Sequence, residues 1–209
     1  MARNNICWPS ISTRGWKNPG DGLLTLDTVN KREWLDLSET LLSDQFPGTG
    51  DSFLEIRESR YQYVVGQTAS DGLFEGFNVA KSADVIALAE SAGIDTTTFD
   101  YAANVAQTLA ISSLLGFTFE SNSSESVEAM GLLDEIAITW HNYRVGASLE
   151  VLSGFRAGLQ LGSAHTQAID FPPGVMLYRT IPEPSGTALV LLGIATVSFR
   201  SRFMKPCLT

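Results

Sequence analysis

The chain has 209 residues, 44% hydrophobic and 18% charged, with a formal net charge of −9. That composition excludes bulk disorder and suits one domain with a real core, or two small ones. All 23 acids lie between Asp21 and Glu183, a span with only eight Lys or Arg, so its charge is near −15. Nucleic acid and anionic lipid surfaces are poor partners for such a body. An acidic surface serves first to keep a protein dispersed, and no spaced Asp-x-Asp-x-Asp-Gly loop argues for divalent-cation binding.

In chain order, Met1 to Gly20 contains no apolar h-region of useful length and does not read as a signal peptide. Residues 1–20 are expected to be loose, or to reflect a misassigned or frameshifted start. Asp21–Asp27 and Glu33–Leu37 alternate apolar and polar around Thr28-Val29-Asn30. They predict a β-hairpin with Leu24, Leu26, Trp34 and Leu37 directed to the core. Residues 52–65 predict a helix, with Phe53, Ile56, Arg60 and Tyr63 near one face. Residues 71–80 read as a turn and short strand. Ser82 then caps a helix in which Asp84 occupies the first turn, Val85, Leu88, Ala89 and Ala92 line one side, and Gly93 ends it. A further helix spans 97–115, capped by Thr97 or Thr98 and ended by Gly116. Ala102, Ala106, Leu109, Ala110 and Ser113 recur along it.

Beyond a loop at 121–124 the pattern changes to short strands at 135–143, 148–152, 156–161 and 174–179, separated by Gly and Ser. Alternation is clear in Ile136, Ile138 and Trp140, and in Val175 and Leu177. The whole predicts a compact α+β domain over 21–180: an N-terminal hairpin, two to three helices, then short antiparallel strands.

Signals for chemistry are sparse. His141 and His165 are the only histidines, and no His-Glu-x-x-His or paired Cys/His spacing marks a metal site. Gly146-Ala147-Ser148-Leu149-Glu150 begins like a nucleophile elbow but lacks the final glycine. Asp134/Glu135 and Glu55/Glu58 are carboxylate pairs able in principle to work on a glycan, although neighbours on an acidic surface are far more often solvated. Trp34 reads as core. Trp140-His141-Asn142-Tyr143 is the better candidate ligand contact, through Trp140, His141 and Tyr143. No cofactor is implied. Cys7 and Cys207 are the only cysteines, and no structural disulfide is predicted.

The most specific stretch is Pro182-Glu183-Pro184, followed by the uncharged run Ser185–Phe199 and by Arg200, Arg202 and Lys205. As a helix the run is roughly 22 Å long, short of a hydrocarbon core of about 30 Å, with the cations able to snorkel and to fix a cytoplasmic side. A buried terminal core helix is the competing reading. Two prolines keep the motif extended and out of the helix.

These three parts in order resemble the PEP-CTERM sorting signal of Gram-negative bacteria. The resemblance covers about the last 25 residues. It implies an exosortase as partner, a transmembrane helix at about 185–199 held transiently in the inner membrane, and a body that ends at the cell surface or in extracellular polysaccharide. A second resemblance is carried by Asp21–Asp27, Glu33–Leu37, Glu75–Ala80 with the helix from Ser82, and Gly174–Arg179. These look like an exported PEP-CTERM group similar to the Lcl-type, C-type-lectin-like domain. It implies that first and last strands pair, with Leu24 and Leu26 beside Val175 and Leu177. Asn78 and Lys81 depart from that group, which has a basic residue and a small hydroxyl there. Three functions are open: a non-enzymatic surface or matrix protein, a lectin-like glycan-binding module, and an exported polysaccharide hydrolase.

Overall fold

The computed structural model describes residues 11–121, 126–138, 143–163 and 173–182. It is mixed α+β, with two sheets and three α-helices. By contacts the chain divides into a unit ending at Arg179 and a second unit from Thr180 onward.

The first sheet is built from β1 (Ile11–Arg14), β2 (Leu24–Asp27), β3 (Arg32–Leu35), β4 (Asn78–Val79) and β10 (Leu177–Thr180), in the order β1-β2-β3-β10-β4. The predicted hairpin is β2–β3, with Leu24 opposite Leu35 and Thr25 opposite Trp34. Asp27 closes its turn by accepting from the Val29 and Asn30 backbone N–H groups and from Asn30 Nδ2. This side chain-to-backbone bonding is what makes Asp a turn residue. Leu37 lies beyond the strand, in a 3-10 turn over Leu37–Thr40 capped by Asp36.

Two expectations are corrected here. Residues 11–20 are not loose: β1 pairs antiparallel with β2, and the Asp21 carboxylate accepts from the Trp16, Lys17, Asn18 and Leu23 backbone N–H groups. Those bonds, Asn18 and Leu23 foremost, hold the Asp21 pKa down at about 2. Nor does β2 lie beside β10, because β3 sits between them. Leu24 and Leu177 still share one buried cluster.

The second sheet runs β5 (Phe119–Ser121), β6 (Ser126–Ile138), β7 (Tyr143–Leu152), β8 (Arg156–Ser163), all antiparallel, with β9 (Gly174–Val175) parallel to β6. β6 begins nine residues before the strand predicted from 135. Its early part, with Ala129, Met130 and Gly131 before Leu132 and Leu133, is covered on both faces and so lacks clean alternation.

Helix α1 (Phe53–Gly66) carries a capping box between Ser52 and Glu55. Helix α2 (Ser82–Ser91) is capped one residue earlier than expected, at Lys81, with Ser82 as first helical residue. It ends as predicted: Gly93 takes φ 80, and Ile94 N donates to Ala89 O at 3.0 Å, which satisfies an end carbonyl. Helix α3 (Tyr101–Leu115) starts later than 97 because Asp100, not a threonine, caps it, accepting from Ala102 N and Ala103 N. Its buried side is Asn104, Thr108, Ile111, Ser112 and Leu115. The stripe Ala102, Ala106, Leu109 and Ser113 is exposed.

Two apolar cores lie on opposite faces of the first sheet. One joins Trp34 to α2, α3 and the inner face of the second sheet, through Leu88, Ile111, Ala129, Leu133, Ala147 and Leu149. The other packs Leu24, Leu35 and Leu177 against α1 and the rings of Phe46, Tyr61, Phe74 and Phe77.

Candidate functional site

The face alternation of β3 and β10 sorts their polar side chains into two groups. Arg32, Trp34 and Tyr178 point to the α2 side. The Tyr178 ring lies 5.3 Å from Trp34 and 4.4 Å from the Arg32 guanidinium, which pairs with Asp84 of α2 at 2.8 Å. Glu33 and Arg179 point to the other side. Buried Glu33 receives Arg14 and Arg179, each at 2.7 Å, and Arg179 lies 5.1 Å over Phe77. This arrangement ties β1, β3 and β10 together, with each Glu33 oxygen taken by one guanidinium.

The N-terminus of α2 is held by two carboxylates. Asp84 Oδ2 accepts from Lys81 N at 2.8 Å, and Glu135 Oε2 accepts from the Ser82 N–H and hydroxyl. Asp134 N donates to Ala80 O at 2.9 Å and docks β6 on the same segment. These bonds bring Asn78, Lys81, Asp84, Asp134 and Tyr178, from four elements, around one open cleft of about 420 Å³ with Thr68 at its edge. Asn78, Lys81 and Asp134 are exposed and Asp84 is half-buried. The cleft therefore offers an amide, an ammonium, a carboxylate and hydroxyls within one ligand's reach. Its lining is mainly polar, with Val65, Phe77 and Val79 as apolar wall. No nucleophile–base pair lines it.

The carboxylates weighed for catalysis are separated or occupied. Asp134 lines the cleft while Glu135 caps α2. Glu55 caps α1, and its pKa is lowered by the Asp51 backbone N–H and by Ser52. Glu58 pairs with Arg144 at 2.8 Å, and that guanidinium covers the buried Tyr61 ring at 3.7 Å. Burial pushes the Tyr61 hydroxyl up to about 12, against the pull of Arg144. A pair that sequence reading missed is Glu128 and Glu150, directly opposite across β6 and β7. Glu128 accepts from the Ser148 hydroxyl at 2.7 Å and Glu150 pairs with Arg156 at 2.6 Å. Burial, with help from Glu128, raises the Glu150 pKa. Only strand register reveals this pair, since the two residues are 22 apart in the chain.

Of the other candidates, Pro182 is exposed. Glu183, Pro184, Arg200, Arg202 and Lys205, with the predicted membrane segment 185–199, lie outside the described residues, as do Trp140, His141 and His165. Tyr143 is the first residue of β7. Among the described residues, no helix is long and apolar enough to cross a membrane, and no cluster of three or more His, Cys, Asp or Glu could hold a metal. Comparison with known proteins finds no matching family model, curated protein or solved structure.

Proposed function

We propose that this chain is an exported, non-enzymatic surface or matrix-associated protein, sorted by an exosortase through Pro182-Glu183-Pro184. The observation that carries this reading is the order of three parts: an extended Pro-x-Pro tripeptide, fifteen uncharged residues, and the cations Arg200, Arg202 and Lys205. Each part has a separate physical task, namely access for the enzyme, insertion, and orientation. The inner membrane holds the segment transiently, and the acidic body passes to the surface or into extracellular polysaccharide. Engagement of Glu55, Glu58 and Glu135 in caps and ion pairs favours a non-enzymatic body.

The test is the intact mass of the protein, expressed behind a cleavable leader in hosts with and without an exosortase. The expected result is loss of the residues beyond the Pro-Glu-Pro region only where the enzyme is present. An identical mass in both hosts removes the sorting reading.

A second reading, a glycan-binding module, is favoured by the polar cleft around Asn78, Lys81 and Asp134. Glycan-array binding that disappears in Asp134→Ala would support it. An array without signal would count against it.

A further inference from the structure

The last strand of the body is an interior strand. β10 lies within the first sheet, between β3 and β4. The Met176 carbonyl just before it accepts from Ala80 N at 2.8 Å. Leu177 is fully buried opposite Val79, and Tyr178 stands opposite Asn78. The Tyr178 ring packs on Trp34 and under the Arg32 guanidinium, and Arg179 donates to Glu33 at 2.7 Å. Each residue from Met176 to Arg179 is thus held by partners on β3, on β4 or directly after β4. Thr180 and Pro182 are exposed. Only Thr180 and Ile181 separate Arg179 from the first proline of the Pro-Glu-Pro motif. Fully extended, the chain from Arg179 to Pro182 reaches roughly 10 Å.

That short reach matters because an enzyme that cuts a peptide takes it extended, through main-chain hydrogen bonds on both sides of the scissile bond. A strand already paired in a sheet cannot offer those groups until it opens. Cleavage there tracks the small population of the opened state. Opening β10 is costly. Leu177 belongs to one apolar core and Tyr178 packs on the other. Removing the strand would expose both side chains and take one guanidinium from buried Glu33.

We propose that β10 sets the body-side limit of processing: the bond that is broken lies beyond Thr180, and the short tether makes the folded body a brake on the reaction. This inference rests on the sorting reading above and adds where the cut falls and what slows it. The bond broken is a peptide C–N bond. The new terminal carbonyl of the body passes to water or to an acceptor amine, and the released tail keeps its nitrogen as a protonated amine. The body loses no strand and leaves with both cores closed. The enzyme meets a motif whose upstream side is already committed to the sheet, so its grip on that side is confined to the two residues after Arg179. A longer tether relieves this crowding, because the span between two tethered sites decides how often both can be engaged.

The test uses the full chain behind a cleavable leader, in a host with an exosortase, and follows processing by pulse–chase labelling. A flexible insert of about six Gly and Ser residues between Ile181 and Pro182 adds roughly 13 Å of root-mean-square reach. That variant is expected to be processed about threefold faster or more, with an unchanged urea midpoint of the body. The same insert between Pro184 and Ser185 lies on the other side of the motif and should give no acceleration. The mass of the C-terminal peptide of the wild-type product should place its end at Thr180 or later. A product ending at Arg179 or earlier would overturn the limit. Equal rates with and without the first insert, or equal acceleration by both inserts, would overturn the brake. In each of these cases the tail has been removed and the sorting reading stands. A tail kept by all three proteins removes that reading and this proposal with it.

Discussion

One side of the first sheet is rich in rings, and the other is packed with aliphatic side chains among which alanines recur. Towards α1, Trp16 stacks on Phe74 at 5.9 Å and meets Phe77 edge-on at 6.0 Å, Phe46 meets Phe74 edge-on at 6.3 Å, and the Tyr61 ring lies under Arg144. Towards α2 and α3, Ala80, Ala89, Ala129 and Ala147 let backbones approach, with Trp34 as the single large ring in the buried cluster. The aromatic side is held by area and shape. The alanine side brings helices close enough for side chains to bond backbone directly. Thr25 donates to Leu114 O at 2.8 Å, Ser112 to Leu149 O, and Asn104 to Ala157 O. Large side chains hold a core through buried area; small ones hold it through proximity and the polar bonds that proximity permits.

The comparison predicts opposite sensitivities to size. The largest loss should follow truncation of a ring: Phe74→Ala is expected to cost about 3–5 kcal/mol by urea unfolding, from lost transfer energy plus a cavity. Enlargement should matter more on the alanine side, where Ala147→Leu should cost about 1–3 kcal/mol through overpacking. If Ala147→Leu is neutral, the alanine side is not close-packed and the contrast fails. Asn104→Ala leaves the buried Ala157 carbonyl and the Asp95 N–H without their partner and should cost about 2 kcal/mol. The same substitution at exposed Asn78 should change little, which separates a bonding role from loss of an amide.

The acid limb sharpens the picture at the edge of the ring-filled side. Asp21, held at about 2, orders the turn that places Trp16 against Phe74. Its folded pKa lies below the ordinary 3.8, so its contribution is complete above that value and fades as pH falls towards about 2. Asp21→Asn should flatten the stability loss across that window, read by tryptophan fluorescence at increasing acidity. The smallest effect is expected at Glu150. Its raised pKa means that the fold disfavours its charge, so it weakens the protein as pH rises through that pKa. Glu150→Gln should therefore be neutral or slightly stabilising at pH 7, despite the Arg156 pair.

Much of the fold was legible along the chain. The β2–β3 hairpin, α1 within one residue, and the stop of α2 at Gly93 follow from alternation, from side chains recurring on one helical face, and from a terminal glycine. The start of α3 was misread because Thr97, Thr98 and Asp100 all offer cap oxygens. Thr97 and Thr98 serve the preceding loop instead, through the Asp95 carboxylate and Asp100 N. The length of β6 was hidden by burial on both faces. The candidate cleft was not legible, because Thr68, Asn78, Asp134 and Tyr178 are spread over more than 100 residues and meet only through β10 pairing with β4 and β6 docking at Ala80.

By itself the sequence determined the α+β class, the acidic body and the order of Pro-Glu-Pro, uncharged run and cations at 182–205, because composition, local periodicity and contiguous motifs are properties of neighbouring residues. Which side of α3 faces inward was decided only in three dimensions. Periodicity marks two stripes on that helix, and the buried one is fixed by the core around Ile111 and Leu115 and by carbonyl partners at Ala157 and Leu149, about 40 to 50 residues away, which no local pattern contains.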